Sequence, residues 1–291
     1  MQNQPSQSSA VTRLGDAGIT FVSDGIVTFP IDFVYGSAPA EEVTALRSAF
    51  GQSLDTQTLQ SNVMVADIAG RRVMVDAGGG GKFQPANGGL PANLRAAGID
   101  PESIDLVVFT HLHPDHFWGA TDEDNAAPSF PNAELIAPQL DHAFWSQPGL
   151  DERMPNEFAA WITRTTQAHL EQVAGRIRVV GPDDVILDGI RYIPTPGHTP
   201  GHASLLFEQG DDALLVVGDV LTDPVVSFER PEWAAGYDAD SGQAAATRLD
   251  LLERLAFERL RVFANHLPWP GLGHVVRQEG HYRWVPANWA V

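Results

Sequence analysis

The chain of 291 residues contains no cysteine. That removes disulfides, thiolate nucleophiles and thiolate metal ligands together, so any metal chemistry must run on His, Asp and Glu. Positive charge is also scarce, with 18 Lys and Arg against 37 Asp and Glu, for a net charge of −19. Phosphate recognition needs clustered cations, so no nucleic-acid partner is expected, and the acidity reads as a solvated surface. No apolar run approaches the ~18 residues of a membrane-spanning helix, and no membrane association is expected. Met1 to Ala10 is polar and uncharged, without the basic start and apolar core of a signal peptide. As written the chain reads as cytoplasmic, and a periplasmic or secreted location would require a longer precursor that lost its signal. Linker-like composition shifts and internal repeats are missing too. At 43% apolar and 19% charged residues the composition is that of an ordinary globule. The expected organisation is a loose leader over residues 1–18 and a single domain over 19–291.

Against this background one stretch is dense in chemistry: Thr110-His111-Leu112-His113-Pro114-Asp115-His116. It follows an apolar run, 104–109, that reads as a buried strand. Neutral imidazole and carboxylate oxygen together suit zinc and similar divalent ions. Alternation sends His111 and His113 to one side of an extended segment, and Pro114 then lets Asp115 and His116 fold back. Three more stretches place an ionisable residue directly after a predicted strand: Gly197-His198 through Gly201-His202, Gly218-Asp219, and Asn265-His266. Groups at like ends of buried strands can meet. The seven candidate ligands are His111, His113, Asp115, His116, His198, Asp219 and His266. They are too many for one tetrahedral ion and about right for two that share a hydroxide.

Periodicity predicts helices over 41–50, 90–97, 139–145, 157–173 and 243–260. Strands are predicted over 62–68, 71–76, 134–137, 177–180, 190–194, 203–207, 214–218 and 261–264. Residues 19–35 read as an edge strand running into a loop that overhangs a pocket. The class is α+β, two sheets covered by helices. The run Ala77-Gly78-Gly79-Gly80-Gly81 is no phosphate loop, because Gly81-Lys82 continues with Phe83 rather than Ser or Thr. Its glycines fit a backbone that passes close to the metal site.

The order His111-x-His113-x-Asp115-His116, Gly197-His198-Thr199-Pro200-Gly201-His202, Gly218-Asp219, His266 resembles the metallo-β-lactamase superfamily, from about Asn62 onward. Phe130-Pro131-Asn132-Ala133, Phe144-Trp145-Ser146-Gln147, residues 265–274 and Tyr282-Arg283-Trp284-Val285-Pro286 resemble, more narrowly, the methyl parathion hydrolase group and its lactonase relatives. Ser23-Asp24-Gly25 is similar to that group's substrate-covering loop. The resemblance implies a four-layer αββα sandwich with the site at one edge of the sheets. It implies that His111, His113 and His198 hold one metal, that Asp115, His116 and His266 hold the other, and that Asp219 bridges them. The ions would be divalent, zinc first, with Mn, Co or Fe as alternatives.

The implied activity is cleavage of lactones, aryl esters or organophosphate triesters, all small neutral substrates, by a metal-bridging hydroxide. Asp115 would also move a proton to the leaving group, and the relatives imply a homodimer. Phe33, Phe83 and Trp145 are the expected pocket rings. Phe117 and Trp161 are further candidates, although the helical spacing of Trp161 favours core. Asp76, His202 and His274 would orient the ligands, while His142, His169 and His281 read as surface or satisfied core residues. Two alternatives share the fold: a thioester hydrolase like glyoxalase II, which needs a basic cluster not seen here, and a mononuclear iron sulfur dioxygenase. One departure is local. Phe117-Trp118-Gly119 follows the first motif where relatives often carry Gly-Gly.

Overall fold

Along Arg71–Val75, Val73 and Val75 face one core while Met74 faces another. The same period-two alternation splits Leu106 and Val108 from Val107, and Leu214 and Val216 from Leu215. Strands apolar on both faces must be covered on both, which forces a layered fold. The computed structural model describes residues 9–122 and 127–287. Its two large sheets have seven strands each, and spatial order follows chain order in both. The first runs from Ser9–Leu14 to Ile177–Val180, the second from Val185–Leu187 to His281–Pro286.

The shared inner core includes Phe21, Met64 and Val75 of the first sheet with Phe207, Val216 and Phe263 of the second. Phe21 stacks on Phe263 at 5.1 Å between centroids. The outer face of the first sheet is covered by helices Leu90–Ala96 and Glu157–Val173 through Leu94, Leu170 and Val173. Helix Ser241–Glu258 covers the second through Leu251, Leu252 and Leu255. This is the expected αββα sandwich.

Parallel pairing sets the location of chemistry. Arg71–Val75, Leu106–Val108 and Glu134–Pro138 run parallel in one sheet, as do Asp212–Val216 and Arg261–Phe263 in the other. Their C-terminal ends therefore point toward one edge of the sandwich, where Asp76, His111, Asp219 and His266 follow.

Three expectations are corrected. Residues 9–18 are not a loose leader: Ser9–Leu14 pairs with Ala17–Pro30 and buries Ala10 and Leu14. Short alternating strands of this kind carry little signal beside polar neighbours. Residues 1–8 lie outside the described part. Ala17–Pro30 is consequently an interior strand, and it ends in a short helix, Ile31–Tyr35, rather than a loop. The strand predicted over 214–218 stops at Val216, because Gly218 sits at φ +53 and opens a 3-10 turn. No described helix is long and apolar enough to cross a membrane.

Candidate metal centre

Each candidate ligand sits just beyond a strand or in the short helix Pro114–Phe117, whose N-terminal proline needs no N–H partner. Among the described residues, three sets of potential ligand atoms converge, each within 4.8 Å: His111, His113 and His198; His111, His116 and Asp219; Asp115, His116 and His266. The first and last share no residue. Asp219 stands between them. Its Oδ2 lies 3.2 Å from His198 Nε2, and its Oδ1 lies 3.1 Å from both His116 Nε2 and His266 Nε2. All seven predicted ligands are thus brought together.

The partners behind the rings decide which nitrogens face inward. His198 Nδ1 donates to Asp238 Oδ1 at 3.0 Å, His116 Nδ1 to Asp76 Oδ2 at 2.9 Å, and His266 Nδ1 to the Gln60 carbonyl at 2.6 Å. The Thr110 hydroxyl donates to Asp76, so it accepts from His111 Nδ1 at 3.0 Å. Four Nε2 atoms are left as bare acceptors aimed at one another. His116 Nε2 lies 3.2 Å from His266 Nε2. Lone pairs facing at such distances repel unless a cation lies among them, and Asp219 Oδ1, buried with no hydrogen-bond partner, adds to that demand. This donor set, nitrogen and carboxylate oxygen without sulfur, fits divalent metal.

The electrostatics agree. Burial first, then the neighbouring imidazoles, hold His111 and His113 well below the usual histidine range, so both stay neutral. Burial opposes charge on His116 and His266 as well, but the surrounding carboxylates together outweigh it and raise both, Asp219 foremost with Asp115 and, at His116, Asp76. A proton taken up there would occupy the place of a metal cation. Asp219 is held well below the carboxylate range, because four imidazoles overcome its burial.

Asp76 lies behind His116, bonded to its Nδ1. At φ +62 it turns back from its strand and also accepts from Thr110 N at 2.8 Å and Asn265 Nδ2 at 2.9 Å. His202 likewise supports a ligand: its Nε2 accepts the Asp219 N–H at 3.1 Å, and burial keeps the ring neutral, with its pKa pushed down to about 3. His274 does not. It sits in Leu272–Gln278 opposite Arg261 and Val285, at the far end of the strand that leads to His266. Proximity in sequence to His266 misled, because the chain turns away through Pro268–Gly271 before pairing.

Above the candidate ligands opens a cleft lined by Phe29, Phe33, Leu59, Phe83, Phe158, Ile162 and Tyr237 over His113, Asp115, His198, Asp219 and His266. Phe33 and Phe83 stand where expected. Trp145 is not on this wall. It is buried behind His113, ring centroids 5.4 Å apart, and serves as packing. Phe117 is fully buried against Phe109, while Trp161 is half-exposed beside Phe158. The glycine-rich loop meets the ligand segment as expected: Ala77 N donates to the His116 carbonyl and Gly119 N to the Gly78 carbonyl.

Sequence reasoning missed Asp238, fully buried and also bonded by Arg248, along with the wall residues Phe29, Phe158 and Tyr237. Asp238 lies among Asp residues before a helix, where Asp240 is the cap, and nothing local separates the two roles.

Residues 56–266 match the metallo-beta-lactamase superfamily. An N-acyl homoserine lactonase from a Bacillus species is 28% identical over 178 residues, covering 60% of this chain and 60% of that protein. One from Bacillus thuringiensis is 25% identical over 195 residues, covering 66% and 64%. The match thus spans about three-fifths of the length of these curated relatives. The solved structure of AidC, a dizinc quorum-quenching lactonase, is similar in fold, with a TM-score of 0.90 at 24% identity over 97% of this chain and 99% of that one. The hydrolase AbOPH, described as in the beta lactamase superfamily, is similar with a TM-score of 0.90 at 28% identity over 98% and 99%. With ligand order, fold and matched region in agreement, the chain belongs to the metallo-beta-lactamase superfamily.

Proposed function

We propose that this protein is a two-metal hydrolase of small neutral esters, lactones first, with aryl esters and organophosphate triesters as further substrates. The observation that carries the reading is the contrast within the cleft. Its floor is a cluster of groups able to ligate metal, and its wall is aromatic and aliphatic, with no Lys or Arg among the described residues that line it. Such a wall gives an apolar acyl or aryl arm its burial and offers nothing to a carboxylate or phosphate. The net charge of −19 works in the same direction by repelling anionic substrates. A glutathione thioester, the substrate class of the nearest alternative, finds no cationic partner among the described residues of that lining. The lactonases similar to this chain support the ester assignment. The two separate ligand sets joined by Asp219 support two ions, zinc first, over one iron.

His111, His113 and His198 would hold one divalent cation and Asp115, His116 and His266 another, with Asp219 facing both; such ions would supply hydroxide at neutral pH and polarise the scissile carbonyl or phosphoryl oxygen. The protein's own work is positional. Asp238, Asp76 and the Gln60 carbonyl fix the tautomers of His198, His116 and His266, so lone pairs stay aimed before substrate arrives. Asp115 lines the cleft, where its carboxylate takes a proton from the nucleophile and returns it to the leaving oxygen. The rings exclude water around the bond to be cut.

The test is a panel of lactones, aryl esters, phosphotriesters and glutathione thioesters assayed with zinc-loaded protein. Lactone turnover well above thioester turnover is expected. Turnover confined to the thioester would sink the reading.

A further inference from the structure

Trp118 stands two residues beyond His116 and is 1% exposed, yet it neither ligates nor lines the cleft. Its ring is pinned twice. The indole Nε1 donates to Thr166 Oγ1 at 2.9 Å, and the ring stacks on His169 at 5.4 Å and 27°. From that fixed position it meets two further rings edge-on: Phe83 at 5.9 Å and 79°, and Trp161 at 5.3 Å and 85°. Phe83 lines the cleft. Trp161 in turn leans on Phe158, 5.8 Å away, which also lines it. One buried indole therefore backs both the loop side and the helix side of the wall.

The backbone beside Phe83 is closely packed as well. A Cβ at Gly119 would fall 2.0 Å from the Ala77 carbonyl, and one at Gly80 would fall 3.2 Å from the Trp118 carbonyl. The glycine-rich loop and segment 118–119 are in backbone contact, so the loop that carries Phe83 cannot slide past Trp118. Phe83 thus stands between Phe29, 6.2 Å away on the cleft side, and the indole edge of Trp118, 5.9 Å away behind it.

We propose that Trp118 is a positioning residue that sets substrate specificity: its indole is the backstop that holds Phe83 forward and so limits the size of the apolar arm the cleft accepts. This rests on the reading of the cleft as the ester site. A ring shared between two walls makes the pocket's depth a property of one side chain, and close packing passes a change there directly to Phe83.

The experiment compares wild type with Trp118→Leu, Trp118→Phe, Phe83→Leu and the double variant Trp118→Leu with Phe83→Leu, all zinc-loaded. Two readouts are taken on lactones with acyl arms from short to long: kcat/KM for the esters, and Kd for the matching lactams, which lack the scissile bond. Trp118→Leu should raise the long-over-short ratio about tenfold, mainly through KM and equally in lactam Kd. Trp118→Phe, which keeps a ring and folds more safely, should give a smaller rise in the same direction. Phe83→Leu should raise the ratio by itself, and adding Trp118→Leu to it should change the ratio less than about twofold, the non-additivity of residues acting in series. An unchanged ratio in both Trp118 variants, an equal loss for every arm, or simple additivity would overturn the proposal. If wild type hydrolyses none of the lactones, the hydrolase reading fails while the lactam ratios still decide the role of Trp118. Absence of both lactone turnover and lactam binding in wild type would end both.

Discussion

On the floor of the cleft each histidine except His113 is held from behind by a specific polar partner, whereas on the wall Phe29 and Phe33 are held by ring contacts of 5.5–6.5 Å with each other and with Tyr237, whose hydroxyl alone is anchored, to Thr222 at 2.8 Å. The buried chain Arg248–Asp238–His198 is typical of the floor, each member oriented by the next. Hydrogen bonds of this kind fix angles as well as distances, and metal ligation requires both. Ring contacts fix little beyond separation, so the wall can change in outline while the floor stays in place. On the proposed function, reaction falls to the floor and selection to the wall.

The largest expected effect comes from the floor. Asp219→Ala removes the carboxylate that faces both ligand sets, and should cost bound metal and about 10³-fold or more in kcat, read by elemental analysis and steady-state kinetics. Retention of full metal with a small rate loss would mean that the floor does not depend on a shared carboxylate. Next comes the support behind the ligands. Asp238→Ala frees the His198 ring and should weaken metal binding by about 10- to 100-fold in chelator competition. An unchanged affinity would erase the contrast with the wall, since partners behind the rings would then contribute nothing.

The wall should respond more weakly and in a different quantity. Phe33→Ala, at a ring 37% exposed on the cleft's rim, should raise KM for long-arm lactones about threefold to tenfold and leave metal content at the wild-type value. Metal loss in this variant would show that floor and wall are coupled. The smallest effect on rate is expected at Asp24, which accepts from Gly79 N and Leu90 N and so ties down the loop that carries Phe83. Burial raises its pKa from 3.8 to about 6, against the pull of those N–H groups. A carboxyl with a raised folded-state pKa contributes stability that is full below pH 3.8 and is lost as pH rises through about 6. Asp24→Asn, which stays neutral, should therefore gain melting temperature relative to wild type as pH rises from about 4 to 6. The comparison belongs on metal-free protein, where ligand titration cancels between the two, and a gap that stays constant with pH would contradict it.

The same contrast explains how much was legible before the structure. A ligand must be His or Asp at a strand end, so His111 to His116, His198, Asp219 and His266 stand out as motifs, and Asp76 follows from its place after Val75. The paired sheets follow from alternation in strands such as Arg71–Val75. The wall draws Phe29, Phe83, Phe158 and Tyr237 from four distant segments, and no local pattern marks a ring as facing a cleft rather than a core. Trp145 failed for that reason: a buried tryptophan beside His113 and one lining the pocket look alike in one dimension. Asp238 was illegible because its role depends on meeting His198, 40 positions away, and Arg248 on the next helix. His274 and residues 9–18 show the converse error, in which chain position stood in for spatial position.

The central claim is that these seven side chains hold two divalent ions on one floor. Elemental analysis of the purified protein after zinc loading and removal of excess metal tests it most directly. Close to two ions per chain, falling toward zero in Asp219→Ala, is the predicted result. A single tightly held iron per chain, or a wild-type protein that retains no metal, would contradict the account.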